Sequence, residues 1–231
     1  GTVVVVADQD YTFITTISGG NISTGQVRAA TRSTNTALFE LIAVSSTLSI
    51  DAIANGGVPS RLGQSSAAAT NLVFDGGTLR YTGNGSTDRL FSIGTFGGTI
   101  ESSGTGPLTL NSAGGSNVSI GTGNRTLTLT GSQTGDNTIG GSLANNAPTD
   151  VLSLAKTSAG KWVLAGANTY TGNSTISSGT LQVGGGTTSG AIGTTAIINA
   201  GNLVFNRSDT LALTATNAIS GAGTLHQIGT G

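Results

Sequence analysis

Residues 160–186 read GKWVLAGANTYTGNSTISSGTLQVGGG, and this stretch decides the fold because the beginning of the chain repeats it. At a shift of 159 positions, Tyr11 falls on Tyr170 and Gly20 falls on Gly179 without a gap. A strand-like pattern that recurs within one chain is typical of a solenoid, in which each repeat stacks on its neighbours. The sequence therefore predicts a stacked, repetitive β architecture.

The other end of the chain carries part of the same pattern. LHQIGTG, residues 225–231, lies over LAKTSAG, residues 154–160, at a shift of 71. Gly231 and Gly1 then both correspond to Gly160, so the chain ends at the point of the repeat where it also begins. This alignment predicts that the two termini are complementary halves of one coil.

Composition favours a narrow apolar core. Short stretches such as RTLTLTG and NLVFNR alternate apolar and polar residues, as expected for strands between tight turns. Aromatic residues make up 4% of the chain, whereas a β-sandwich needs large side chains to fill its wider core. Stacked Val, Ile, Leu and Thr fit a parallel β-helix, and rungs of about 20 to 25 residues would give roughly ten of them. We expect a single β-helical domain over residues 1–231.

Neither end of the sequence has the features of a solenoid cap. Thr2–Val6, TVVVV, is strongly β-prone, and Gly231 interrupts a repeat, whereas a capping repeat presents a polar outer face. We therefore expect uncapped ends. The alternative interpretation is that the sequence is an excerpt of a longer array.

Charge and cysteine content exclude several kinds of partner. The net charge is −1, from nine basic and ten acidic residues, which offers no electrostatic basis for binding nucleic acid or an anionic membrane. No apolar run approaches the roughly 18 residues of a membrane span, so we expect no membrane insertion by this segment. The absence of Cys excludes disulfides and thiolate metal sites and is typical of an exported chain. We expect no cofactor.

One segment resembles a known family. From Gly160 to Gly172 the order is G-x-W-x-L-x-G-x-N-T-Y-T-G, and T-I-S-S-G-T-L-Q-V-G follows from Thr175 to Gly184. This order resembles the autotransporter-associated β-strand repeat, which occurs in very large bacterial surface and secreted proteins. The resemblance is specific over residues 156–186 and looser over 58–231. Residues 1–57 resemble the family only through the shifted copy, so we expect divergent rungs there.

The resemblance implies a right-handed β-helix located outside the cell or on its outer surface. Members of the family have no enzymatic activity in common, and their exported parts are mostly rods and adhesive surfaces. The first copy departs from the repeat, because Val3 stands where Trp162 does and Phe13 stands where Gly172 does. We therefore expect the corner of the first rung to differ in geometry from the corner at Gly172.

No set of residues has the pattern of a catalytic or metal site. Asp8 and Asp10 are close in sequence and share a face if they lie on a strand, which is the arrangement that polysaccharide cleavage by paired carboxylates needs. Asp also favours turns, and we interpret both as solvated turn residues. His226 is the only histidine, so a site with two histidines cannot form, and we interpret it as a surface or interface residue.

Two charged pairs are further candidates for chemistry. Asp88 and Arg89 are adjacent, and Arg207 precedes Asp209 by two residues. Charge clusters of this kind can serve a lyase, but they also form exposed salt bridges and protect strand ends. We interpret both pairs as exposed salt bridges or strand-end charges.

Three aromatic residues are candidates for sugar binding. Trp162, Tyr81 and Tyr170 could stack on sugar rings if they were exposed on a flat β face. The other interpretation is that they pack inside the coil, where large aromatic side chains bury the most area. We favour packing.

These observations favour a non-catalytic structural rod of a bacterial extracellular or cell-surface protein. The matching termini extend this to copies that stack head to tail into a filament, since a heterologous interface does not close and edge strands supply the hydrogen bonds. A surface adhesin that binds glycans or matrix through ladders of Thr, Asn and Tyr is the second hypothesis, and a polysaccharide-degrading β-helix enzyme is the third. The predicted assembly interface consists of Gly1, Thr2, Val3, Val4, Val5, Val6, Leu225, His226, Gln227, Ile228 and Gly231.

Overall fold

The computed structural model describes residues 2–4, 26–29, 39–42 and 47–231, apart from 113, 214 and 215. These residues form short β-strands joined by turns, with one turn of 3₁₀ helix at Ala69–Asn71. In chain order the strands are β1 (Thr2–Val4), β2 (Gln26–Ala29), β3 (Phe39–Ile42), β4 (Thr47–Ile50), β5 (Leu72–Asp75), β6 (Thr78–Tyr81), β7 (Gly85–Thr87), β8 (Ser92–Ile93), β9 (Gly98–Ser102), β10 (Leu108–Leu110), β11 (Ser116–Ser119), β12 (Arg125–Thr130), β13 (Asn137–Ile139), β14 (Ser142–Leu143), β15 (Leu152–Lys156), β16 (Lys161–Leu164), β17 (Ser174–Ile176), β18 (Thr180–Thr187), β19 (Ile197–Asn199), β20 (Asn202–Arg207), β21 (Ile219–Ser220) and β22 (Thr224–Gln227).

The described strands form three sheets. The nine-stranded sheet has the order β1-β4-β6-β9-β12-β15-β17-β19-β21, and the seven-stranded sheet has the order β22-β20-β18-β16-β13-β10-β7. The six-stranded sheet has the order β14-β11-β8-β5-β3-β2. Within these ranges all paired strands are parallel except β2 and β3, which are antiparallel. From β6 to β14 the chain visits the three sheets in turn, and from β15 onward its described strands alternate between the nine-stranded and the seven-stranded sheets.

The length of a coil varies along the solenoid. Thr175 pairs with Ile198, and Ile198 pairs with Ser220, so these coils contain 23 and 22 residues. Thr47 pairs with Thr78, so an earlier coil contains 31 residues. The predicted parallel β-helix is confirmed, but it has about seven turns instead of roughly ten, because several coils are longer than the expected repeat.

The core is a set of side-chain columns that run along the solenoid. Strands alternate inward and outward residues, so equivalent inward positions of successive coils stack directly on one another. One such column of the nine-stranded sheet is fully buried and consists of Leu48, Leu79, Ile100, Leu129, Lys156 and Ile176. Burial of each Leu or Ile contributes about 1.5–3 kcal/mol. The narrow aliphatic core that the composition predicts is confirmed, with a lysine inside it.

Glycine and asparagine residues shape the corners between strands. Gly131 has φ +113, and a Cβ at this position would lie 1.9 Å from the carbonyl oxygen of Ser102 in the coil below. Asn137 joins three coils, because its Oδ1 accepts the backbone N–H of Leu108 at 2.9 Å and its Nδ2 donates to the carbonyl of Lys161 at 2.8 Å. These contacts satisfy backbone groups that the turns leave without a strand partner.

The register of the last strand corrects the alignment of the C-terminal end. Leu225 lies opposite Leu203, Leu203 opposite Leu181, and Leu181 opposite Trp162. Leu225 is therefore equivalent to Trp162 and not to Leu154, so the predicted match of Gly231 with Gly160 is wrong. Residues 223–225 share Gly-Thr-Leu with residues 179–181. At both places this tripeptide begins a strand of the seven-stranded sheet, β22 and β18 respectively.

The register of the first strand corrects the other half of the same alignment. The shift of 159 positions places residues 2–4 on residues 161–163 of β16, which belongs to the seven-stranded sheet. β1 instead pairs with β4 in the nine-stranded sheet. The two described end segments thus occupy different sheets, and that the termini of two copies complete one coil stays a prediction.

Candidate functional site

The three aromatic candidates are buried. Trp162 and Tyr170 are 0% exposed and Tyr81 is 1% exposed. The indole Nε1 of Trp162 donates to the carbonyl of Thr130 at 3.0 Å, and the hydroxyl of Tyr170 lies 2.7 Å from Oγ of Ser174. Burial raises the pKa of Tyr170 to about 12. The prediction that these residues pack in the coil is confirmed, and a sugar ring has no access to them.

Arg89 does not form the exposed salt bridge with Asp88 that was predicted. Its side chain is buried, and it donates from Nη1 to Oγ of Ser65 at 2.8 Å and from Nη2 to the carbonyl of Gly63 at 2.9 Å. Burial lowers the pKa of Arg89. Asp88 is exposed and accepts the backbone N–H of Gly56 at 2.7 Å. Both charges therefore fasten the loop around residues 56–65 to the coil.

Arg207 and Asp209 form the salt bridge that the sequence predicted. Nε and Nη2 of Arg207 each lie 2.9 Å from a carboxylate oxygen of Asp209, in a bidentate arrangement. Nη1 of Arg207 also donates to the carbonyl of Gly190, one coil away. The pair thus links two coils at a partly exposed ridge.

Lys156 is a buried cation that sequence reasoning missed. It lies between Leu129 and Ile176 in the inner column and is 0% exposed. Its Nζ donates to three carbonyls, of Thr157 at 2.6 Å, Ser158 at 2.7 Å and Ser178 at 3.1 Å. Burial lowers the pKa of Lys156 to about 8. The alternation in LSLAK, residues 152–156, is the signal that could have placed this lysine inside.

Arg125 is a second buried cation held by backbone carbonyls. It is 4% exposed, and its guanidinium donates to the carbonyls of Gly123, Gly121, Ile93 and Ile120. These contacts join the end of one coil to the beginning of the next. Lys156 and Arg125 thus both donate hydrogen bonds to backbone carbonyls at corners of the solenoid.

Acidic and histidine residues do not gather in the described part of the chain. Across residues 47–231 and the described strands before them, no group of three or more His, Cys, Asp or Glu side chains could hold a metal ion. His226 is exposed in β22, as predicted for a surface residue. Asp8 and Asp10 lie outside the described residues, so their interpretation stays a prediction.

The outer face of the nine-stranded sheet carries a ladder of hydroxyl residues, which we call the threonine ladder. Register pairs connect one outward position of each strand through the whole sheet. Six of these nine positions are Thr, and the side chains described are half-buried up to β17 and exposed in β19 and β21. The ladder consists of Thr2, Thr47, Thr78, Thr99, Thr128, Ala155, Thr175, Ile198 and Ser220. Neighbouring strands lie about 4.8 Å apart, so the hydroxyl residues repeat at this spacing from Thr47 to Thr128, and Ala155 and Ile198 interrupt the series further along the sheet.

The last described coil exposes apolar residues of β21, of β22 and of the segment before β21, and we call this surface the end platform. Leu213 and Ile219 are each 38% exposed, and Leu225 is 56% exposed. A cleft of about 170 Å³ opens beside them, between the segment from Phe205 to Leu213 and Gly231 at the end of the chain. In the described residues β21 and β22 each have a hydrogen-bonded neighbour on one side only.

The predicted interface residues lie at opposite ends of the solenoid. Leu225, His226 and Gln227 are in β22, followed by Ile228 and Gly231, whereas Thr2, Val3 and Val4 are in β1 at the far edge of the nine-stranded sheet. Gly1, Val5 and Val6 lie outside the described residues. The structure does not bring the two groups together within one molecule, and contact between copies stays a prediction.

Comparison with known proteins finds a repeat family and a relative. Residues 154–183, which form the coil that contains Lys156, Trp162 and Tyr170, match the passenger-associated-transport-repeat. The adhesin BmaC autotransporter of Brucella suis biovar 1 (strain 1330) is 39% identical over 178 residues, which is 76% of this chain. The chain belongs to the autotransporter passenger-repeat family.

Membership in this passenger-repeat family places the chain in the extracellular space or on the bacterial outer surface. The chain spans about 5% of the length of the curated adhesin that it matches. No solved structure matches the chain. Among the described residues, none of the helical structure is long and apolar enough to cross a membrane.

Proposed function

We propose that this chain is a non-catalytic rod segment of a large bacterial surface protein, folded as a single β-helical domain whose copies stack end to end. The observation that supports the rod is the continuous register of the nine-stranded sheet, which extends from β1 to β21. Neighbouring strands of this sheet pair in parallel at two to five positions each, and the inward side chains of one column stack on one another from Leu48 to Ile176. Such an arrangement resists bending because any bend opens backbone hydrogen bonds and the packed core together.

The placement of the basic residues supports a structural role. Arg89, Arg125 and Lys156 each donate several hydrogen bonds to oxygen atoms of the solenoid itself. A catalytic cation must reach substrate, whereas these side chains are at most 4% exposed. Their role is to stabilise corners, and the relative of this chain is named an adhesin and not an enzyme.

Assay of a polysaccharide panel tests the non-catalytic role. We expect that the full chain releases no reducing ends or unsaturated products from acidic or neutral polysaccharides. Asp8→Ala with Asp10→Ala is the informative variant, because these are the carboxylates that the sequence places close together. Product formation that disappears in this variant would show that the chain is an enzyme.

A second candidate function is adhesion through the threonine ladder. The observation that favours it is the outward column of hydroxyl groups at a spacing of about 4.8 Å, which presents regular donors and acceptors to a linear glycan or a matrix fibre. The name of the relative, an autotransporter adhesin, agrees with this candidate. In this function the rod would extend from the cell surface and would also bind the glycan or matrix fibre along its threonine ladder.

A matched pair of threonine variants tests adhesion. Thr128 lies on the ladder, and Thr138 is a half-buried outward residue of β13 in the seven-stranded sheet. We expect Thr128→Lys to reduce retention on a glycan or matrix array at least tenfold and Thr138→Lys to leave it unchanged. Equal loss in both variants, or no retention of the unmodified chain, would remove the adhesive function of this face.

A further inference from the structure

We propose that the dipeptide Asn55–Gly56 is a self-modification site, at which the carboxylate of Asp88 promotes the loss of ammonia from the Asn55 side chain. The site lies in the loop that Arg89 fastens to the coil, inside the described range 47–231. Its chemistry involves only groups of this chain and water. The proposal therefore does not depend on the stacking of copies or on the adhesive role of the threonine ladder.

An asparagine that is followed by glycine has the groups for this reaction. The backbone nitrogen of the glycine attacks Cγ of the asparagine side chain, closes a five-membered succinimide ring and expels the amide nitrogen as ammonia. Glycine favours ring closure because it has no Cβ to restrict the backbone. The chain contains the dipeptide twice, at residues 55–56 and at residues 84–85. The two copies have different surroundings.

Asp88 contacts both reacting groups of the first copy. Its Oδ1 accepts the backbone N–H of Gly56 at 2.7 Å, which is within the distance at which a general base removes a proton. Its own backbone N–H donates to Oδ1 of Asn55 at 3.1 Å, so it faces the oxygen on which negative charge develops during the attack. One residue thus supplies both the base and a hydrogen-bond donor for the oxyanion.

The loop holds Gly56 in this position. The carbonyl of Asn55 accepts the N–H of Val58 at 3.1 Å, which closes a turn in which Gly57 has φ +80. A Cβ at Gly56 would lie 2.2 Å from the backbone nitrogen of Ala67, so the turn accommodates only glycine here. The side chain of Asn55 is exposed, and water therefore reaches the ring once it has formed.

The atoms and electrons of each step balance within the site. Asp88 takes the proton of the Gly56 nitrogen while this nitrogen bonds to Cγ of Asn55, and the carbonyl π electrons move to Oδ1. When the tetrahedral intermediate collapses, the bond from Cγ to Nδ2 breaks and the protonated carboxyl returns its proton, so ammonia leaves. Water then opens one of the two C–N bonds of the succinimide and gives aspartate or isoaspartate at position 55. Either product adds a carboxylate to the loop.

The second copy of the dipeptide is a matched control within the same chain. Asn84 is exposed like Asn55, but Gly85 begins β7 and its N–H donates to the carbonyl of Pro107 at 3.2 Å. A carbonyl oxygen is not a base at neutral pH, and the strand pairing restrains the nitrogen that has to turn toward Cγ. We therefore expect folding to slow the loss of ammonia at Asn84 and to accelerate it at Asn55.

Peptide mass spectrometry after incubation at neutral pH measures the two rates. Trypsin separates the sites, because Asn55 lies in the peptide 33–61 and Asn84 lies in the peptide 81–89. The full chain is incubated folded in buffer and unfolded in urea, and the replacement of NH₂ by OH is followed in each peptide. We expect Asn55 to react at least about tenfold faster in the folded chain than in the unfolded chain, and Asn84 to react more slowly. An equal or lower rate of Asn55 in the folded chain overturns the proposal.

The variant Asp88→Asn isolates the role of the carboxylate. Its amide oxygen still accepts the N–H of Gly56 and its backbone N–H is unchanged, but the amide is not a base. We expect Asn55 to react at least about tenfold more slowly in this variant, while an unchanged rate at Asn84 shows that the chain is folded. Asp136→Asn is the control, because Asp136 is an exposed carboxylate on another part of the surface, and it should leave both rates unchanged. An undiminished rate at Asn55 in Asp88→Asn contradicts the assistance by Asp88.

Discussion

Lys156 offers the sharpest test of how this solenoid is stabilised. Its ammonium group stands in an aliphatic column, with three carbonyls as hydrogen-bond acceptors. The perturbation is Lys156→Met, which keeps the length of the side chain and removes the charge. Lys161→Met is the control, because Lys161 is ion-paired with Asp136 at 2.6 Å on the outer surface.

The expected magnitude follows from the pKa of Lys156, which burial lowers from 10.5 to about 8. This difference corresponds to about 3 kcal/mol, and screening by water near the ammonium reduces it to about 1–3 kcal/mol. Below about pH 8 the amine is protonated in both the folded and the unfolded states, so its contribution is constant. Between about pH 8 and 10.5 the folded state releases the proton first, and the free energy of unfolding rises with pH.

Urea unfolding at pH 7, 8, 9 and 10 measures this effect. We compare the free energy of unfolding of the unmodified chain with that of Lys156→Met. As the pH rises from 8 to 10, we expect this difference to shift by about 1–3 kcal/mol in favour of the unmodified chain. Other titrating groups are common to both proteins and cancel in the difference. A difference that stays constant over this range would refute the argument that burial, and not the carbonyl contacts, dominates the energetics of Lys156.

Three further variants test the packing, each by urea unfolding at neutral pH. Trp162→Ala should reduce the free energy of unfolding by about 3–5 kcal/mol because the indole is fully buried, whereas Phe96→Ala, at a residue 68% exposed, should change it by less than about 0.5 kcal/mol. Gly131→Ala should cost more than Gly114→Ala, since a Cβ would meet a carbonyl at 1.9 Å in the first case and has no heavy atom within 4 Å in the second, although both have positive φ. Arg89→Met should cost about 2–4 kcal/mol, because it leaves buried acceptors of the loop around residues 56–65 without donors. A loss below 1 kcal/mol for Trp162→Ala or Arg89→Met, or equal losses for the two glycine variants, would contradict the packing described.

Local patterns predicted much of the fold and some of the candidate surfaces. Alternation in segments such as RTLTLT identified strands, and the scarcity of aromatic side chains indicated a narrow core. The same reasoning placed Trp162 and Tyr170 inside and paired Arg207 with Asp209. These features depend on residues close in sequence, so the sequence contains the information they need.

The threonine ladder and the burial of Arg89 could not be found in this way. Thr99 and Thr128 are neighbours only because the register of two strands, 29 residues apart, sets them opposite each other. Arg89 is buried because a loop from residues 54–65 reaches it, and nothing in the adjacent Asp88 indicates that contact. Loop length varies from coil to coil, so the chain alone does not reveal which residues stack.

The terminal segments show most clearly which features depend on local sequence and which depend on tertiary structure. The sequence by itself determined that strands recur with glycine and asparagine at their corners, because strand alternation and turn conformation are local properties. Only the tertiary structure decided that Leu225 stacks on Leu203, since LHQIGTG shares just one Leu and one Gly with LAKTSAG and fits two positions of a coil. Stacking energy between coils distinguishes those positions, because a side chain must bury itself on its equivalent below. Leu203, which Leu225 covers, is 0% exposed, whereas Leu225 itself is 56% exposed.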